Sequence, residues 1–214
     1  MNLKLEPIKM PEQVEWLRQQ RNRPELFKYF RQDKPITPKD QMAWWLTIGS
    51  NPHKCRAFLV YVDGFRVGYV GFLPFNAATR TAEFGMFIMP EHQGKGYGAT
   101  ALLALLKHGF EDLKLSHIKS DVLDYPGENR FEFYKKLGFQ KREPWLMSYS
   151  KGDKRIQSIG FYMSKDTWDK LHGQKREGVL ESAGSAAVGQ RAQEAGQAGA
   201  GLSAGPQNIN PPAR

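Results

Sequence analysis

Cysteine is almost absent from this chain: Cys55 stands alone among 214 residues. A single thiol excludes an internal disulfide framework and a cysteine-rich zinc site. Nothing nearby marks Cys55 as a low-pKa thiolate, so a nucleophilic role is not the expected one, and no metal is expected. Long apolar runs are missing too. No stretch approaches the roughly 18 to 20 residues of a membrane span, and Met1-Asn2-Leu3-Lys4-Leu5-Glu6 lacks the apolar region of a signal peptide. The expectation is a soluble, cytoplasmic protein. Acidic residues are outnumbered, 22 against 31 Lys and Arg, giving a formal charge of +9. That excess would suit nucleic acid or a polyanionic cofactor equally. Basic residues cluster at Arg18, Arg21 and Arg23, at Lys135, Lys136, Lys141 and Arg142, and at Lys151, Lys154 and Arg155. No helix-turn-helix or RNP pattern organises them. Nucleic acid is therefore not the expected partner, and most of these residues read as solvated faces.

What is present is one ordinary core, with 40% hydrophobic and 25% charged residues, and room for an appendage. Leu3 and Leu5 alternate as a first strand; Pro11 opens a helix with Val14 and Leu17 on one face. A short helix follows Pro24, and Thr37-Pro38 fits an N-cap with proline at N1 for a helix reaching Gly49. Ala57–Val62 and Val67–Phe72 flank Asp63-Gly64, a strong hairpin signal. Ala82–Met89 reads as the next, antiparallel strand, Ala99–Phe110 as a helix, Ile118–Leu123 as a strand and Asn129–Leu137 as a helix. Strands from Phe139 and over Ile156–Met163 follow, with Ser164 capping a last helix. A meander followed by a βα crossover gives an α/β chain with a mixed sheet and helices on both faces. From about Gly173 no aromatic residue appears, and residues 173 to 214 are expected to be mostly disordered, with Val179 to Ala195 able to form a partner-induced helix.

The most informative run is Pro90-Glu91-His92-Gln93-Gly94-Lys95-Gly96-Tyr97-Gly98, a glycine-rich turn between a strand and a helix. The first N–H groups of a helix lack intrahelical partners and the helix dipole adds partial positive charge, so the turn suits a pyrophosphate. It lacks the Gly-x-x-x-x-Gly-Lys-Ser/Thr spacing of a P-loop. Gly94-x-Gly96-x-x-Ala99 satisfies a loose dinucleotide pattern, but several strands precede it where a Rossmann half needs the first. Gln93-Gly94-Lys95-Gly96-Tyr97-Gly98 instead matches Gln/Arg-x-x-Gly-x-Gly/Ala, and Tyr134-Lys135-Lys136-Leu137-Gly138-Phe139 matches Tyr-x-x-x-Gly-Phe, a helix stopped at a glycine C-cap before a strand. In these two signatures the chain resembles the GNAT family of acyl-CoA-dependent N-acyltransferases over roughly residues 1 to 170.

The resemblance implies a GNAT fold, α/β with a mostly antiparallel central sheet, over residues 1–172, followed by a flexible Gly/Ala/Gln-rich tail at 173–214. It implies acetyl-CoA as co-substrate and direct transfer to a primary amine of an amino sugar or a peptide. Main-chain groups of Met86, Phe87 and Ile88 would bind the pantetheine amides, and the turn from Gln93 through Gly94, Lys95, Gly96, Tyr97 and Gly98 to Ala99 the pyrophosphate. An N–H near Ile88 would polarise the thioester carbonyl. Tyr134 is the candidate general acid, because a phenol near 10 can protonate a thiolate whose thiol lies near 8.5. The amine must lose a proton before it attacks, and Glu83 is the first candidate base, directly or through water, with Asp121, Asp124 and His92 as rivals. The family often has an asparagine seven residues before its tyrosine; here that position is Gly127, and Asn129 substitutes only if the helix starts differently.

Leu17 to Trp45 resembles the acceptor-shaping part of family members that acetylate ribosomal protein termini or nucleotide-linked amino sugars. That points to Arg21, Arg23, Phe27, Tyr29 and Trp44, with core packing the commoner fate of Trp44 and Phe27. A basic, aromatic rim suits an acceptor with a phosphate, and also an acidic peptide. A different class stays open: a GNAT-fold assembly or phage virion-associated protein that docks through its C-terminal tail, since fold does not fix function. The same tail would serve an assembly partner or a homodimer.

Overall fold

The computed structural model describes residues 1–49 and 56–173, and in it the chain opens with an antiparallel meander. Strands β1 (Leu3–Pro7), β2 (Ala57–Val62), β3 (Phe65–Asn76) and β4 (Thr81–Ile88) pair in succession. Asp63 and Gly64, at the β2–β3 turn, take φ of +50° and +87°, the left-handed pair that a two-residue hairpin of matching twist needs. Three helices fill the connection from β1 to β2: α1 (Pro11–Arg21), α2 (Pro24–Phe27) and α3 (Pro38–Gly49). Thr37 caps α3 as its sequence suggests, its Oγ1 accepting from the Asp40 N–H at 3.1 Å.

After β4 a short 3-10 turn, Pro90–His92, leads into α4 (Tyr97–Lys107), which carries the chain to β5 (His117–Leu123), parallel to β4. A parallel neighbour demands such a crossover. Helix α5 (Phe131–Lys136), the hairpin of β6 (Gln140–Lys151) and β7 (Lys154–Ser164), and α6 (Lys165–His172) complete the described residues. The strand order is β1-β2-β3-β4-β5-β7-β6, with β7 inserted between β5 and β6. Ser164 Oγ accepts from the Thr167 N–H at 3.1 Å and so caps α6.

Alternation along the strands divides the apolar residues between two cores. Val70, Phe72, Phe84, Ile88 and Ile118 pack under the buried Ala101, Leu102, Leu105 and Leu106 of α4. Leu59, Tyr69, Phe87 and Met89 face the other way, against Val14 and Leu17 of α1 and part of α3. The helices therefore cover both sides of the sheet, as expected.

Element ends depart from the sequence reading in β3, which runs on to Asn76 rather than ending at Phe72, and in the helices. The central helix starts at Tyr97 rather than Ala99, and after Lys107 it widens into a π turn over His108–Asp112. A Cβ on Gly109 in that turn would stand 2.7 Å from both Ile118 Cδ1 and Phe72 Cζ, so this close approach to the sheet requires glycine. The helix expected over Asn129–Leu137 spans only Phe131–Lys136. Cys55 and residues 174 to 214, including the helix considered for Val179 to Ala195, lie outside the described residues. Among the described residues no helix is long and apolar enough to cross a membrane, and no group of three or more His, Cys, Asp or Glu is arranged for a metal.

Candidate functional site

The sheet comes apart at its centre. Strands β4 and β5 pair only from Thr81↔His117 to Glu83↔Lys119, and beyond Glu83 they diverge. On its other side β4 stays paired with β3 as far as Gly68↔Ile88. Met89 donates its N–H to Val67 O across that ladder, so by strand alternation the main-chain groups of Phe84, Met86 and Ile88 point toward the gap. Two of their carbonyls are taken: Ser120 Oγ donates to Phe84 O at 2.8 Å and Gln93 Nε2 to Ile88 O at 2.7 Å. The amides of Met86 and Ile88 and the carbonyl of Met86 meet no strand there.

The glycine turn closes one end of this wedge. Gly94 and Gly96 take φ of +75° and +80°, and no atom of the described residues lies within 4 Å of where a Cβ would stand on either. Gly96 is the N-cap of α4, yet no side chain caps the helix. Its carbonyl accepts from the Thr100 N–H at 3.2 Å, which leaves the first-turn amides of Tyr97, Gly98 and Ala99 without intrahelical partners. The turn is held from outside, by Arg23 donating to Glu91 at 2.9 Å and by Lys95 Nζ on Glu91 O at 3.3 Å. Uncapped amides at a dipole's positive end, with open space in front of two glycines, fit a phosphate-bearing coenzyme.

Wedge and turn together line a cleft of about 790 Å³, within the roughly 300–1,000 Å³ usual for small-ligand sites. Of the residues singled out in the sequence, Glu83, Met86, Phe87, Ile88, Gln93, Gly94, Gly96, Tyr97, Gly98, Ala99 and Tyr134 line it, as do Asp121, His92, Arg21 and Tyr29. Lys95 does not; its ammonium is turned onto the Glu91 carbonyl. Asn129 does not either: it lines a separate, shallow hollow with Asp124, Tyr125 and Arg155, because α5 begins at Phe131 rather than at Asn129. Trp44 packs edge-on against Tyr69 in the core, and Phe27 lies under Lys151 Nζ, 4.6 Å from its ring centre.

Tyr134 is gripped by rings. Its centroid lies 4.4 Å from Phe161 in a stacked arrangement and 5.9 Å from Phe84. Burial among them pushes its phenol up to about 12, partly offset by Arg130. A phenol held there keeps its proton through the neutral range, and full transfer to a thiolate near 8.5 would be uphill by about 5 kcal/mol. The group is better suited to donating a hydrogen bond to a leaving sulfur than to surrendering its proton outright.

The carboxylates hold the main surprise. Glu83 and Asp121, competing candidates in the sequence, stand together and share the guanidinium of Arg31, which also lies 5.3 Å from the Tyr149 ring centre. The Asp121 side chain is only 3% exposed, and its buried Oδ2 has no hydrogen-bond partner among the described residues. The sequence reading did not single out Arg31, and no local signal marks it: its partners lie 52 and 90 residues away. Its segment is clamped by Lys151 of β6, whose Nζ donates to the carbonyls of Phe27, Lys28 and Phe30 at 2.6, 3.0 and 2.8 Å. An oxygen that already accepts from Arg31 must release it before taking a proton from an amine.

Known proteins share this framework. The sequence profile of the acetyltransferase (GNAT) family matches residues 16–139. Spermidine N(1)-acetyltransferase of Escherichia coli K12 is 37% identical over 84 residues, 39% of this chain and 45% of that protein. The chain thus spans less than half the length of that relative. Acetyltransferase PseH of Campylobacter jejuni strain 81-176 is 27% identical over 111 residues, 52% of this chain and 67% of the relative. Among solved structures, spermidine N-acetyltransferase from Vibrio cholerae, in complex with CoA and spermine, superposes with a TM-score of 0.69 at 20% identity, over 78% of this chain and 97% of that one.

Proposed function

The chain belongs to the GNAT acetyltransferase family, and from that premise we propose that it is a cytoplasmic enzyme transferring an acetyl group from acetyl-CoA directly to a primary amine. The observation that carries this reading is the wedge between β4 and β5 facing the uncapped start of α4. In this reading the amides of Gly94 to Ala99 hold the pyrophosphate, while the free main-chain N–H and carbonyl of Met86 bind the amide-bearing arm. Acetyl-CoA, when bound, supplies a thioester carbonyl open to an amine. The Ile88 N–H is the oxyanion donor. Tyr134, protonated at every physiological pH, donates to the departing sulfur. The Asp121 and Glu83 carboxylates receive the amine and take its proton, Glu83 being freed and the buried, unpartnered Oδ2 of Asp121 uncovered as Arg31 moves aside.

The acceptor is a small or peptide-borne amine. Relatives are named for spermidine, which supports an amine but leaves its remaining groups to the cleft. The test is thermal stabilisation by acetyl-CoA followed by thiol release across polyamine, amino-sugar and peptide acceptors. Stabilisation with turnover of at least one class is expected. Absence of any coenzyme effect would sink the proposal.

A further inference from the structure

Four arginines of the first 31 residues sit near the cleft or the helices bounding it, and three of them are matched. Arg18 pairs with Glu15, Arg23 with Glu91, and Arg31 with Glu83 and Asp121. Arg21 is the exception. It lies in the last turn of α1 and lines the cleft, its guanidinium 5.3 Å from the Phe30 ring centre. Among the described residues no carboxylate pairs with it. Burial holds its guanidinium below the usual range, with only the Tyr69 phenol acting the other way. The negative pole of α1 offsets part of the charge, but a half-buried cation still favours a counter-charge.

The opposite sign gathers elsewhere in the same cleft. Glu83 and Asp121 bring two negative charges and Arg31 one positive, a net of minus one for the cluster, with Arg130 on the cleft wall lying over the Tyr29 ring. Gly85, between Glu83 and Phe87 on the same face of β4, has no atom within 4 Å of a would-be Cβ, which leaves open floor between the two ends.

Resting on the acetyltransferase reading above, we propose that Arg21 seats an oxyanion of the acceptor, so that the molecule acetylated carries a carboxylate or phosphate as well as its amine. The amine is drawn to Asp121 and Glu83, the oxyanion to the guanidinium over Phe30. Arg21 is thus a specificity-determining residue: it favours dipolar acceptors and repels the second cation of a polyamine.

The experiment uses the full chain, acetyl-CoA and acceptors matched in length: δ-aminovalerate, pentylamine and cadaverine as one set, a phosphorylated and an unphosphorylated hexosamine as another, with spermidine beside them. The member carrying the oxyanion is expected to show kcat/KM about 10- to 100-fold above its uncharged partner, the effect of one charge-assisted contact. Whichever set shows the larger ratio identifies carboxylate or phosphate as the group. Arg21→Gln should bring the ratio to near one, and Arg21→Lys, which keeps the charge but not the fork, should retain part of it. Preference for cadaverine or spermidine in the parent overturns the assignment, as does a ratio unchanged in both variants. Failure of acetyl-CoA to bind the parent at all overturns the underlying acetyltransferase reading instead, so the two failures are distinguishable.

Discussion

Two glycines of the turn, two residues apart, should respond to alanine in opposite directions. Gly96 sits at φ +80° with nothing within 4 Å of a new Cβ, so in the free protein the methyl meets no neighbour. Only the left-handed backbone resists it, at about 1–2 kcal/mol. For a domain of this size that lowers the midpoint of thermal unfolding by about 3–6 °C. Gly98, inside the first turn of α4, has ordinary helical backbone. Its added Cβ would lie 3.6 Å from Ile88 Cγ1 and Met86 Cε and 3.7 Å from Phe133 Cζ, contacts any side chain makes. Alanine there gains helix propensity, at most about 1 kcal/mol, and should raise the midpoint by about 1–3 °C. The coenzyme separates the two further. At a concentration 100 times Kd it adds about 2.7 kcal/mol to the parent. If relaxing Gly96 turns its amides away and weakens binding tenfold, that contribution falls to about 1.4 kcal/mol, so the coenzyme-induced shift is halved. Gly98→Ala should keep most of the shift. The assay is a thermal melt of each variant with and without acetyl-CoA. A Gly96→Ala variant with a lowered free midpoint and an undiminished coenzyme shift would show that this turn does not cradle the phosphates.

Three further outcomes are expected. A phenol raised to about 12 in the fold contributes stability that is whole below its unfolded value near 10 and fades as pH rises between the two. The parent should therefore lose up to about 3 kcal/mol more than Tyr134→Phe from pH 10 to 12, read as the difference between their denaturant midpoints, and equal losses would refute the burial argument. Arg31→Ala strands the 3% exposed Asp121 side chain without its guanidinium and should lower stability by about 1–3 kcal/mol, with Asp121→Asn in the same background restoring part of it; no change in either melt would show that Arg31 is not holding the pair. Gly109→Ala drives a methyl against Ile118 and Phe72 and should cost about 1–3 kcal/mol while leaving the coenzyme-induced shift in place.

Local chemistry made much of this molecule legible. Asp63-Gly64 implied its hairpin because few residue pairs accept two left-handed conformations in a row, and Thr37-Pro38 implied its helix start because the hydroxyl and the fixed φ both act within one turn. The glycine run implied a helix start with free amides for the same reason: those amides are adjacent in sequence. What sequence could not supply was distance. Arg31 resembles any other arginine of a basic segment until the fold brings Glu83 and Asp121 to it, and the buried, unpartnered Oδ2 of Asp121 follows from that meeting. Asn129 lines a different hollow because α5 begins at Phe131, and nothing local fixes that start two residues later. The π turn at His108–Asp112 answers to the crowding of Phe72 and Ile118 against Gly109, a tertiary demand invisible in a helix-forming run.

The strand ladder that joins the meander to the remaining strands is only three residues long, Thr81 to Glu83. A sheet so stitched should move as two stiff plates about a short crease rather than as one twisted surface. Within β4, deuterium should enter fastest at the unlatched amides of Met86 and Ile88, bordering the crease. A molecule lodged between the plates would brace both, so loading with coenzyme should slow exchange along β5 and β7 as well, far from any phosphate.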